Sequence, residues 1–279
     1  MIEPPRPAER VVRHLKWRMR RLRVETIDAL RWGGRTVTLT PAEGLRFGNW
    51  LYLWLRAHEL TAAGRPRLVL HASGMNEWLT AFPRLQELTL PRDELRFQDQ
   101  RAWNDREWNQ RFGEEFDRTA LAAFIHDVLA PQIPRDDPDT VVVNVRRGDY
   151  YESERLRARY AFDQAGYLAE ALERIGPAPR IRLVSDDPEW CREHLDGLFR
   201  SHADEVTYDP RGAVNNFLAI AGARRLIGTN STFSYWGGYI ADAMNADAQI
   251  VMPWFHGRGT LRIDAYQADP SWTIIDGYH

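Results

Sequence analysis

The sequence predicts an α/β protein built on mostly parallel sheets. Short apolar runs alternate with segments of helical periodicity along most of the 279 residues, and this alternation is typical of βα units. Several apolar runs are nearly continuous, which indicates strands that are buried on both faces, as in a doubly wound sheet. The composition agrees, because 44% hydrophobic and 27% charged residues are typical of a soluble globular chain.

A segment rich in proline and acidic residues is the expected boundary between two domains. The segment APQIPRDDPD (130–139) interrupts a helical pattern and precedes a strand, so it is the expected linker. We predict a basic extension at residues 1–30, a first α/β domain at residues 31–135 and a second, Rossmann-like domain at residues 136–279.

The first half has fewer clear elements than the second. Residues 74–111 are rich in Trp, Pro and Arg, and no element is assigned to them. Gly64 closes an apolar helical run as a C-terminal glycine. The predicted elements are, in order, a strand at 35–40, a helix at 50–64, a strand at 65–71 and a helix at 117–133.

The second half alternates more regularly between strands and helices. Asp163 and Asp187 stand where helix N-caps are expected, and Pro188 suits the first helical position. The predicted strands lie at 140–145, 180–185, 224–229 and 248–253, and the strand at 248–253 is expected to be the last. The predicted helices lie at 163–176, 186–195, 215–223 and in the second part of 230–244.

Three polar motifs directly follow predicted strands. They are RRGDY (146–150), SDDPEW (185–190) and TNSTFS (229–234). Ligands of open α/β sheets bind at the carboxyl ends of the strands, so the shared position of these motifs predicts a binding site. Guanidinium groups match phosphate oxygens in a bidentate manner, which makes Arg146 and Arg147 candidates for an anion site. The alternative is solvated charge at a strand end.

The other two motifs also have a structural alternative. Ser231 and Thr232 stand before a helix, where backbone N–H groups and the helix dipole attract anions. N-capping by Asn230, Ser231 or Thr232 would explain the same residues. Asp186 is suited to accept hydrogen bonds from a nucleobase or a sugar, or it is a strand-end acid beside the capping Asp187.

A fourth candidate lies in the first half. The segment GLRFGN (44–49) places two glycines around a turn and Asn49 at the entrance of a helix. Gly48 would allow a ligand to approach the backbone closely, or the segment is an ordinary tight turn capped by Asn49.

Composition limits the remaining options. A formal net charge of -2 gives no general attraction to nucleic acid, so an anion site must be local. Cys191 is the only cysteine, which excludes an internal disulfide and a multi-cysteine metal site and fits a reducing cytosol. No apolar run approaches the roughly 20 residues that cross a bilayer, and we expect neither a membrane span nor a signal peptide.

Residues 10–24 are basic and amphipathic. Their sequence, RVVRHLKWRMRRLRV, contains seven Lys or Arg residues interleaved with apolar ones. A helix of this composition binds an anionic membrane surface, and the alternative is a solvated extension. The sequence therefore leaves open a peripheral membrane contact through this segment.

Together these motifs resemble those of the α-1,2-fucosyltransferases of glycosyltransferase family 11 and, more distantly, the protein O-fucosyltransferases and α-1,6-fucosyltransferases. The segment NVRRGDY (144–150) is similar to the family pattern His-x-Arg-Arg-Gly-Asp-Tyr. VSDDPEWCREHL (184–195) resembles the second family motif, and NSTFSYWGGYIA (230–241) resembles the third. GLRFGN is similar to the Gly-x-x-Gly-Asn element, and the resemblance runs in order from about Thr36 to the C-terminus.

Two positions depart from the family pattern. Asn144 replaces the leading His, which keeps a hydrogen-bonding amide and removes a titratable ring. Trp50 stands where a Gln is usual, at the acceptor or sugar end of the expected cleft. Both departures bear on the choice of sugar nucleotide, and acceptor choice is expected to depend on residues 74–111.

The resemblance implies a GT-B-like fold, in which two Rossmann-like domains with mostly parallel sheets face a cleft. It also implies an inverting, metal-independent transfer of L-fucose from GDP-β-L-fucose to a glycan hydroxyl, with galactose O2 as the acceptor and an α-1,2 linkage. No cofactor and no metal site are expected. The expected partners are the GDP-sugar donor and the glycan acceptor, without nucleic acid.

Individual residues receive expected roles from the same comparison. Arg146 matches the phosphate-binding arginine of the family and is the expected catalytic residue. Asp149 follows the phosphate loop and is the first candidate for the general base, with Glu152 and Glu154 behind it. The expected donor-binding residues are Gly48, Asn49, Asn144, Arg147, Asp186, Asn230, Ser231, Thr232 and Phe233.

Two other functions stay open. One keeps the fold and uses another GDP-sugar, and the other is a catalytically silent nucleotide-binding protein at a membrane surface. Lys16 is the only lysine among 37 basic residues, which indicates GC-rich coding DNA and a bacterial origin. Bacterial members of the resembled family commonly modify surface glycans. We therefore expect a role in surface-polysaccharide synthesis, in the cytoplasm or on the inner face of the membrane.

Overall fold

The computed structural model describes residues 27, 30–40, 45–103, 110–135, 137–210, 212–258 and 266–278. The basic segment 10–24 lies outside the described residues. Within the described part, the chain forms two sheets whose strands alternate with helices along the sequence, and every strand pairing is parallel. The predicted α/β class with parallel sheets is confirmed.

The first sheet has four described strands in the spatial order β3-β2-β1-β4. Its strands are β1 (Thr36–Leu39), β2 (Arg67–Leu70), β3 (Thr89–Leu90) and β4 (Gln100–Trp103). The helices of this half are α1 (Phe47–Ala62), α2 (Asn76–Ala81) and α3 (Arg118–Phe124); a π-helical turn at Ile125–Leu129 continues α3, and short 3₁₀ turns lie at Ser73–Met75, Pro83–Leu88, Arg92–Glu94 and Ala130–Gln132.

The second sheet has six described strands in the order β10-β9-β8-β5-β6-β7. Its strands are β5 (Thr140–Val145), β6 (Arg180–Ser185), β7 (Glu205–Tyr208), β8 (Arg225–Ile227), β9 (Gln249–Pro253) and β10 (Thr273–Ile275). Its helices are α4 (Gly148–Glu152), α5 (Glu154–Tyr160), α6 (Gln164–Ile175), α7 (Pro188–Arg200), α8 (Ala213–Gly222) and α9 (Thr232–Met244).

The strand order reverses once in each sheet. In the second sheet β5 pairs with β6 on one side and with β8 on the other, so the chain leaves β5 toward one edge and later returns to its opposite side. In the first sheet β1 lies in the same way between β2 and β4. Such switch points open a crevice at the carboxyl ends of the strands, and ligands of open α/β sheets bind there.

A shared apolar core joins the two sheets. Helix α1 packs against α9, and Trp54 and Trp236 on these helices are fully buried. The ring of Tyr52 lies 5.1 Å from that of Trp236, and the ring of Phe47 lies 4.8 Å from that of Phe217 on α8. Buried aromatic pairs of this kind stabilise by area and by edge-to-face geometry, so they fix the relative position of the two sheets.

Most of the predicted elements are confirmed. Asp163 accepts a hydrogen bond from the backbone N–H of Gly166 (3.0 Å), and Asp187 accepts one from Trp190 (3.3 Å), so both acids cap helices as expected. Gly64 follows the end of α1 with a φ of 73°. The strands of the first sheet end by Trp103 and those of the second begin at Thr140, while the proposed domain limits stay a prediction.

Two expectations about local structure are wrong. The N-cap of α1 is Arg46, which offers no capping side chain, so Asn49 lies inside the helix. The strand at 248–253 is not the last one, because β10 follows and pairs with β9. Among the described helices, none combines the length and the apolar character that a bilayer span requires.

Candidate active site

A cavity of about 200 Å³ opens at the switch point of the second sheet. It lies between the carboxyl ends of β5 and β6 and the starts of α8 and α9, where parallel strands and helix N-termini converge. Its walls are formed by Asn144, Val145, Arg146, Ser185, Asp186, Gly212, Ala213, Asn216, Ser231 and Phe233.

Arg146 is the cation of this cavity. Its guanidinium forms ion pairs with the carboxylates of Asp186 (2.8 Å) and Asp149 (2.5 Å), and 28% of its side chain is exposed. Burial lowers the pKa of Arg146, but the negative charges of Asp186 and Asp149 outweigh that effect and leave the pKa raised. The guanidinium is therefore permanently charged. A bound anion would compete with the carboxylates of Asp186 and Asp149 for contact with it.

Asp186 holds the turn that follows β5. One carboxylate oxygen accepts a hydrogen bond from the backbone N–H of Arg147 (2.7 Å), and the other pairs with Arg146. Gly148 is required in this turn, since a Cβ there would lie 2.3 Å from the Asp186 carboxylate and its φ is +24°. The acid after one strand thus shapes the loop after its neighbour, in addition to lining the cavity.

Arg147 takes a different position from Arg146. Its guanidinium lies 3.3 Å from the ring centre of Trp190 and 3.9 Å from that of Tyr151, and it donates to the Gln164 side chain (3.2 Å). Only 12% of its side chain is exposed, and burial lowers its pKa. Arg147 is not among the residues that line the cavity, so the structure places only one of the two predicted arginines at its wall.

The carboxyl ends of β5 and β8 are tied together by polar side chains. Asn144 donates to the backbone carbonyl of Val184 (3.1 Å) and accepts from the hydroxyl of Ser234 (2.7 Å). The Thr229 hydroxyl accepts from the backbone N–H of Arg146 (3.0 Å). Both Thr229 and Ser234 belong to the TNSTFS motif but were not among the predicted site residues, because their contacts are tertiary and leave no spacing signal.

The start of α9 contains four predicted site residues in different environments. Ser231 is the N-cap, accepts from the backbone N–H of Ser234 (3.2 Å) and lines the cavity together with Phe233. Asn230 is fully buried and donates to the carbonyls of Tyr160 (2.9 Å) and His256 (3.0 Å). Capping and cavity lining are therefore compatible at this helix, so the capping alternative does not exclude an anion site there.

The helix α1 begins against the start of α9. A Cβ on Gly48 would lie 2.7 Å from the carbonyl carbon of Thr232 and 2.9 Å from the backbone nitrogen of Phe233, which means that the two helix ends are in backbone contact. Each helix N-terminus has a positive partial charge. Their convergence beside the cavity creates a positive region that does not depend on side chains.

Asn49, in the first turn of α1, belongs to a series of three carboxamides. Gln267 donates to the side-chain oxygen of Gln110 (3.1 Å), and Gln110 donates to the side-chain oxygen of Asn49 (3.2 Å). Gln110 and Gln267 are buried, and they come from parts of the chain to which the sequence assigned no element. The series fixes the orientation of Asn49, and no sequence pattern could have identified it.

Metal-ligating side chains are not clustered in the described part of the chain. Within it, no group of three or more His, Cys, Asp or Glu residues is arranged to hold a metal ion. Cys191 is buried below Ser185, and burial raises the pKa of its thiol to about 11. The charged residues among those that line the cavity are Arg146 and Asp186, and Asp149 pairs with Arg146.

Comparison with known proteins gives a family match over part of the chain. Residues 114–252, which include β5 to β8 and most of β9, match the family model of glycosyl transferase family 11. Over this segment, just under half of the chain, the sequence is that of a glycosyl transferase family 11 protein. The matched segment contains the cavity, Arg146 and the start of α9, while Gly48 and Asn49 lie outside it.

Individual relatives agree with the family match. The chain is 30% identical to an alpha-1,2-colitosyltransferase of Escherichia coli, over 42% of this chain and 41% of that protein. It is 31% identical to a galactoside alpha-(1,2)-fucosyltransferase 1 of Lagothrix lagotricha and 34% identical to that of Leontopithecus chrysomelas, in both cases over 38% of this chain and 30% of the relative. The chain therefore spans less than half the length of these relatives.

The contact of the two helix ends generates a stability prediction. We expect Gly48→Ala to lower the free energy of unfolding by about 1–3 kcal/mol, because the added methyl group meets backbone atoms that cannot move independently. The measurement is urea unfolding of both proteins.

Gly197→Ala is the matched control. Gly197 lies within α7, and a Cβ there would meet no atom within 4 Å. We expect this variant to gain about 0.5–1 kcal/mol from helix propensity. Equal stability of the Gly48→Ala variant and the parent would show that α1 and α9 do not touch at this point.

Proposed function

We propose that the chain transfers L-fucose from GDP-β-L-fucose to a hydroxyl of a glycan acceptor, with galactose O2 as the attacking group and an α-1,2 linkage as the product. The observation that carries the proposal is Arg146, a charged guanidinium at the wall of a cavity at a topological switch point, within the segment that matches glycosyl transferase family 11. The names of two relatives, galactoside alpha-(1,2)-fucosyltransferase and alpha-1,2-colitosyltransferase, support the same class of reaction.

The proposed architecture is GT-B, with the donor on the second sheet and the acceptor on the first. Support comes from the two switch points, since the helix that follows β1 and the helix that follows β8 meet at Gly48 and Thr232. In such an arrangement one crevice receives the nucleotide and the other the acceptor. Asn49 would then lie at the sugar end of the cleft, beside the diphosphate.

The guanosine part of the donor is assigned to the cavity between β5, β6 and α8. Asp186 offers a carboxylate that can accept from the N–H groups of guanine, and Phe233 offers an apolar wall. Asn216, in the first turn of α8, is a further buried polar group at this wall. We therefore expect sugar nucleotides whose base presents the same N–H groups as guanine to bind more tightly than those with uracil.

The diphosphate is assigned to Arg146 and to the N-terminus of α9. Negative charge grows on the β-phosphate as the bond from its oxygen to the anomeric carbon breaks, so a guanidinium at that oxygen binds most tightly in the transition state. In the protein without a donor, the carboxylate of Asp149 forms an ion pair with Arg146, in place of a phosphate. We propose that the diphosphate displaces Asp149 from Arg146 and frees its carboxylate.

The freed Asp149 carboxylate is the proposed general base. The acceptor hydroxyl oxygen attacks the anomeric carbon on the face opposite GDP, the carbon–oxygen bond to the β-phosphate breaks with its electrons on GDP, and the hydroxyl proton passes to Asp149. This displacement inverts the β-linked donor to an α-linked product. The base is then unavailable until a donor has bound, which would limit reaction without substrate.

A transfer that uses another GDP-sugar is the second candidate. It is favoured by Asn144, whose amide is committed to Val184 and Ser234 at the position where the family has His, and by the name of the Escherichia coli relative. A catalytically silent protein would bind GDP without transferring a sugar. The three readings differ in donor selectivity and turnover, and no metal or other cofactor is required in any of them.

Location and role are also proposals. The basic segment 10–24 is suited to an anionic membrane surface, which would place the chain in the cytoplasm on the inner face of the membrane. The arginine-rich composition agrees with a bacterial source, and surface-polysaccharide synthesis is the corresponding role.

The donor is tested by calorimetric titration with GDP-fucose, GDP-colitose, GDP-mannose and UDP-glucose. We expect selective GDP-fucose binding that weakens at least about tenfold in Arg146→Ala, because a charge-assisted contact to the diphosphate is lost. In transfer assays with a galactoside, the same variant should lose about 3 kcal/mol of transition-state stabilisation. Arg146→Lys keeps the charge beside Asp149 and Asp186 and should retain part of the affinity.

Arg155→Ala is the matched control, since Arg155 is an exposed arginine on α5 and its loss changes the net charge equally. It should bind and transfer as the parent does. Selective binding of GDP-colitose or GDP-mannose would favour the second candidate, and GDP binding without any turnover would favour the silent protein. Absence of binding to every GDP-sugar would contradict all three.

The displacement of Asp149 predicts opposite effects on binding and on chemistry. We expect Asp149→Asn to bind GDP as tightly as the parent or tighter, because the competing charge at Arg146 is gone. Its kcat should fall by about 100-fold or more, because no carboxylate accepts the proton. Glu173→Gln, an exposed acid on α6, is the control and should change neither value. Transfer at the parental rate by Asp149→Asn would refute its role as the base.

A further inference from the structure

Four large apolar side chains are exposed on two segments of the first half of the chain, residues 27–32 and the loop that holds Phe97. The exposed fractions are 41% for Ile27, 58% for Leu30, 80% for Trp32 and 59% for Phe97. A single exposed apolar residue is ordinary, but two aromatic and two aliphatic side chains close together mark an interaction surface. We call these four residues the apolar patch.

The two segments that carry the patch are in direct contact. The backbone N–H of Gly33 donates to the carbonyl of Gln98 (2.7 Å), and a Cβ on Gly33 would lie 2.5 Å from that carbonyl oxygen. The guanidinium of Arg31 lies 5.9 Å from the ring centre of Phe97. Trp32 and Phe97 therefore lie on two segments whose backbones are in direct contact.

The loop that holds Phe97 is fixed by hydrogen bonds to Asp99. Arg35 donates to both carboxylate oxygens of Asp99 (2.8 and 3.1 Å), and Asp99 also accepts from the backbone N–H of Arg96 (2.7 Å). Asp99 is buried, and its contact with Arg35 lowers the pKa of its carboxyl. These hydrogen bonds hold the loop in one conformation, in which the side chain of Phe97 is at the surface.

The patch lies at the amino edge of the first sheet. Trp32 precedes β1, Phe97 precedes β4, and β1 and β4 are neighbouring parallel strands in which Thr36 pairs with Gln100. The cavity and the helix ends of the candidate active site lie at carboxyl ends of strands. A partner on the patch would therefore leave the cleft open to donor and acceptor.

The charge beside the patch is strongly positive along the chain. Residues 10–24 contain seven Lys or Arg residues and no acid, and they end three residues before Ile27. The last of these charges is on Arg23, four residues before Ile27, and four residues span at most about 14 Å, so this charge must lie near the patch. The acids near the patch in sequence are Glu25, Asp28, Asp93 and Glu94, and they are matched in number by Arg31, Arg35, Arg92 and Arg96.

We propose that the apolar patch docks on an anionic lipid bilayer, with Trp32 and Phe97 inserted at the interface and the segment 10–24 bound to the headgroups. Aromatic side chains favour the interfacial region of bilayers, and basic residues near the surface add electrostatic attraction that salt weakens. The inference extends the membrane contact proposed above from a basic segment to a defined surface. It also sets the orientation, with the amino edge of the first sheet against the lipid.

The test is sedimentation of the full-length chain with vesicles of phosphatidylcholine alone and with about a quarter phosphatidylglycerol. We expect binding only to the anionic vesicles, at physiological salt, and weaker binding as salt is raised. The variant Trp32→Ser with Phe97→Ser should partition about tenfold less onto the same vesicles, since it loses the inserted aromatic area. Its urea unfolding midpoint and GDP titration should equal those of the parent, because both side chains are exposed and remote from the cleft.

Charge variants separate the two parts of the surface. Arg20→Ser with Arg21→Ser should also reduce binding and should flatten its salt dependence. Arg65→Ser with Arg155→Ser removes two exposed arginines elsewhere and should bind as the parent does. None of these readouts requires sugar transfer, so they succeed or fail independently of the proposed reaction.

Several results would overturn the proposal. These are no binding of the parent to anionic vesicles, undiminished binding of the Trp32→Ser and Phe97→Ser variant, and binding that is equal on neutral vesicles. A concentration-dependent dimer that this variant abolishes would assign the patch to a second copy of the chain. A lower unfolding midpoint of the variant, without vesicle binding by the parent, would show that the segment before Ile27 covers the patch.

Discussion

The ion pair between Arg146 and Asp186 brings the ends of two neighbouring strands into one site. A guanidinium that is mostly removed from water needs acidic partners, and here one partner comes from the strand next to its own. Because the same carboxylate also accepts the backbone N–H of Arg147, the turn after β5 is set by the residue that follows β6. The cavity wall, the orientation of Arg146 and the position of Asp149 all follow from this contact.

The second constraint is the contact of two helix ends across the sheets. Only glycine at position 48 allows α1 to approach the first turn of α9, and the aromatic core between these helices holds the contact in place. Two partial positive charges are thereby directed to the same region as the guanidinium of Arg146. An anion bound there would be stabilised by backbone groups of both halves, which explains why neither half alone would form the complete site.

Local chemistry made much of the second half predictable. The strands β5 and β6 are nearly continuous apolar runs, and the caps of α6, α7 and α9 use Asp163, Asp187 and Ser231, which sequence rules favour. The short elements between residues 74 and 103 could not be assigned, since elements of two to six residues gain their stability from neighbours and are too short to show a period of their own. The missed strand β7 is an edge strand with partly exposed residues, and β10 has only three residues.

The same limit applies to the site. Sequence identified Arg146, Asp186 and Ser231 as candidates because each follows a strand, and all three line the cavity. The sequence could not show that Arg146 and Arg147 have different positions. The guanidinium of Arg146 pairs with Asp186, and that of Arg147 packs on Trp190. Gln110, Gln267, Thr229 and Ser234 act through contacts between distant parts of the chain, so no motif marks them.

A structure of the chain with GDP bound would show whether Arg146 and the start of α9 hold the diphosphate. We expect the β-phosphate to contact the guanidinium of Arg146 and the N-terminus of α9, the guanine to fill the cavity beside Asp186, and the carboxylate of Asp149 to have left Arg146. GDP bound elsewhere, with Arg146 still paired to both Asp149 and Asp186, would contradict the account.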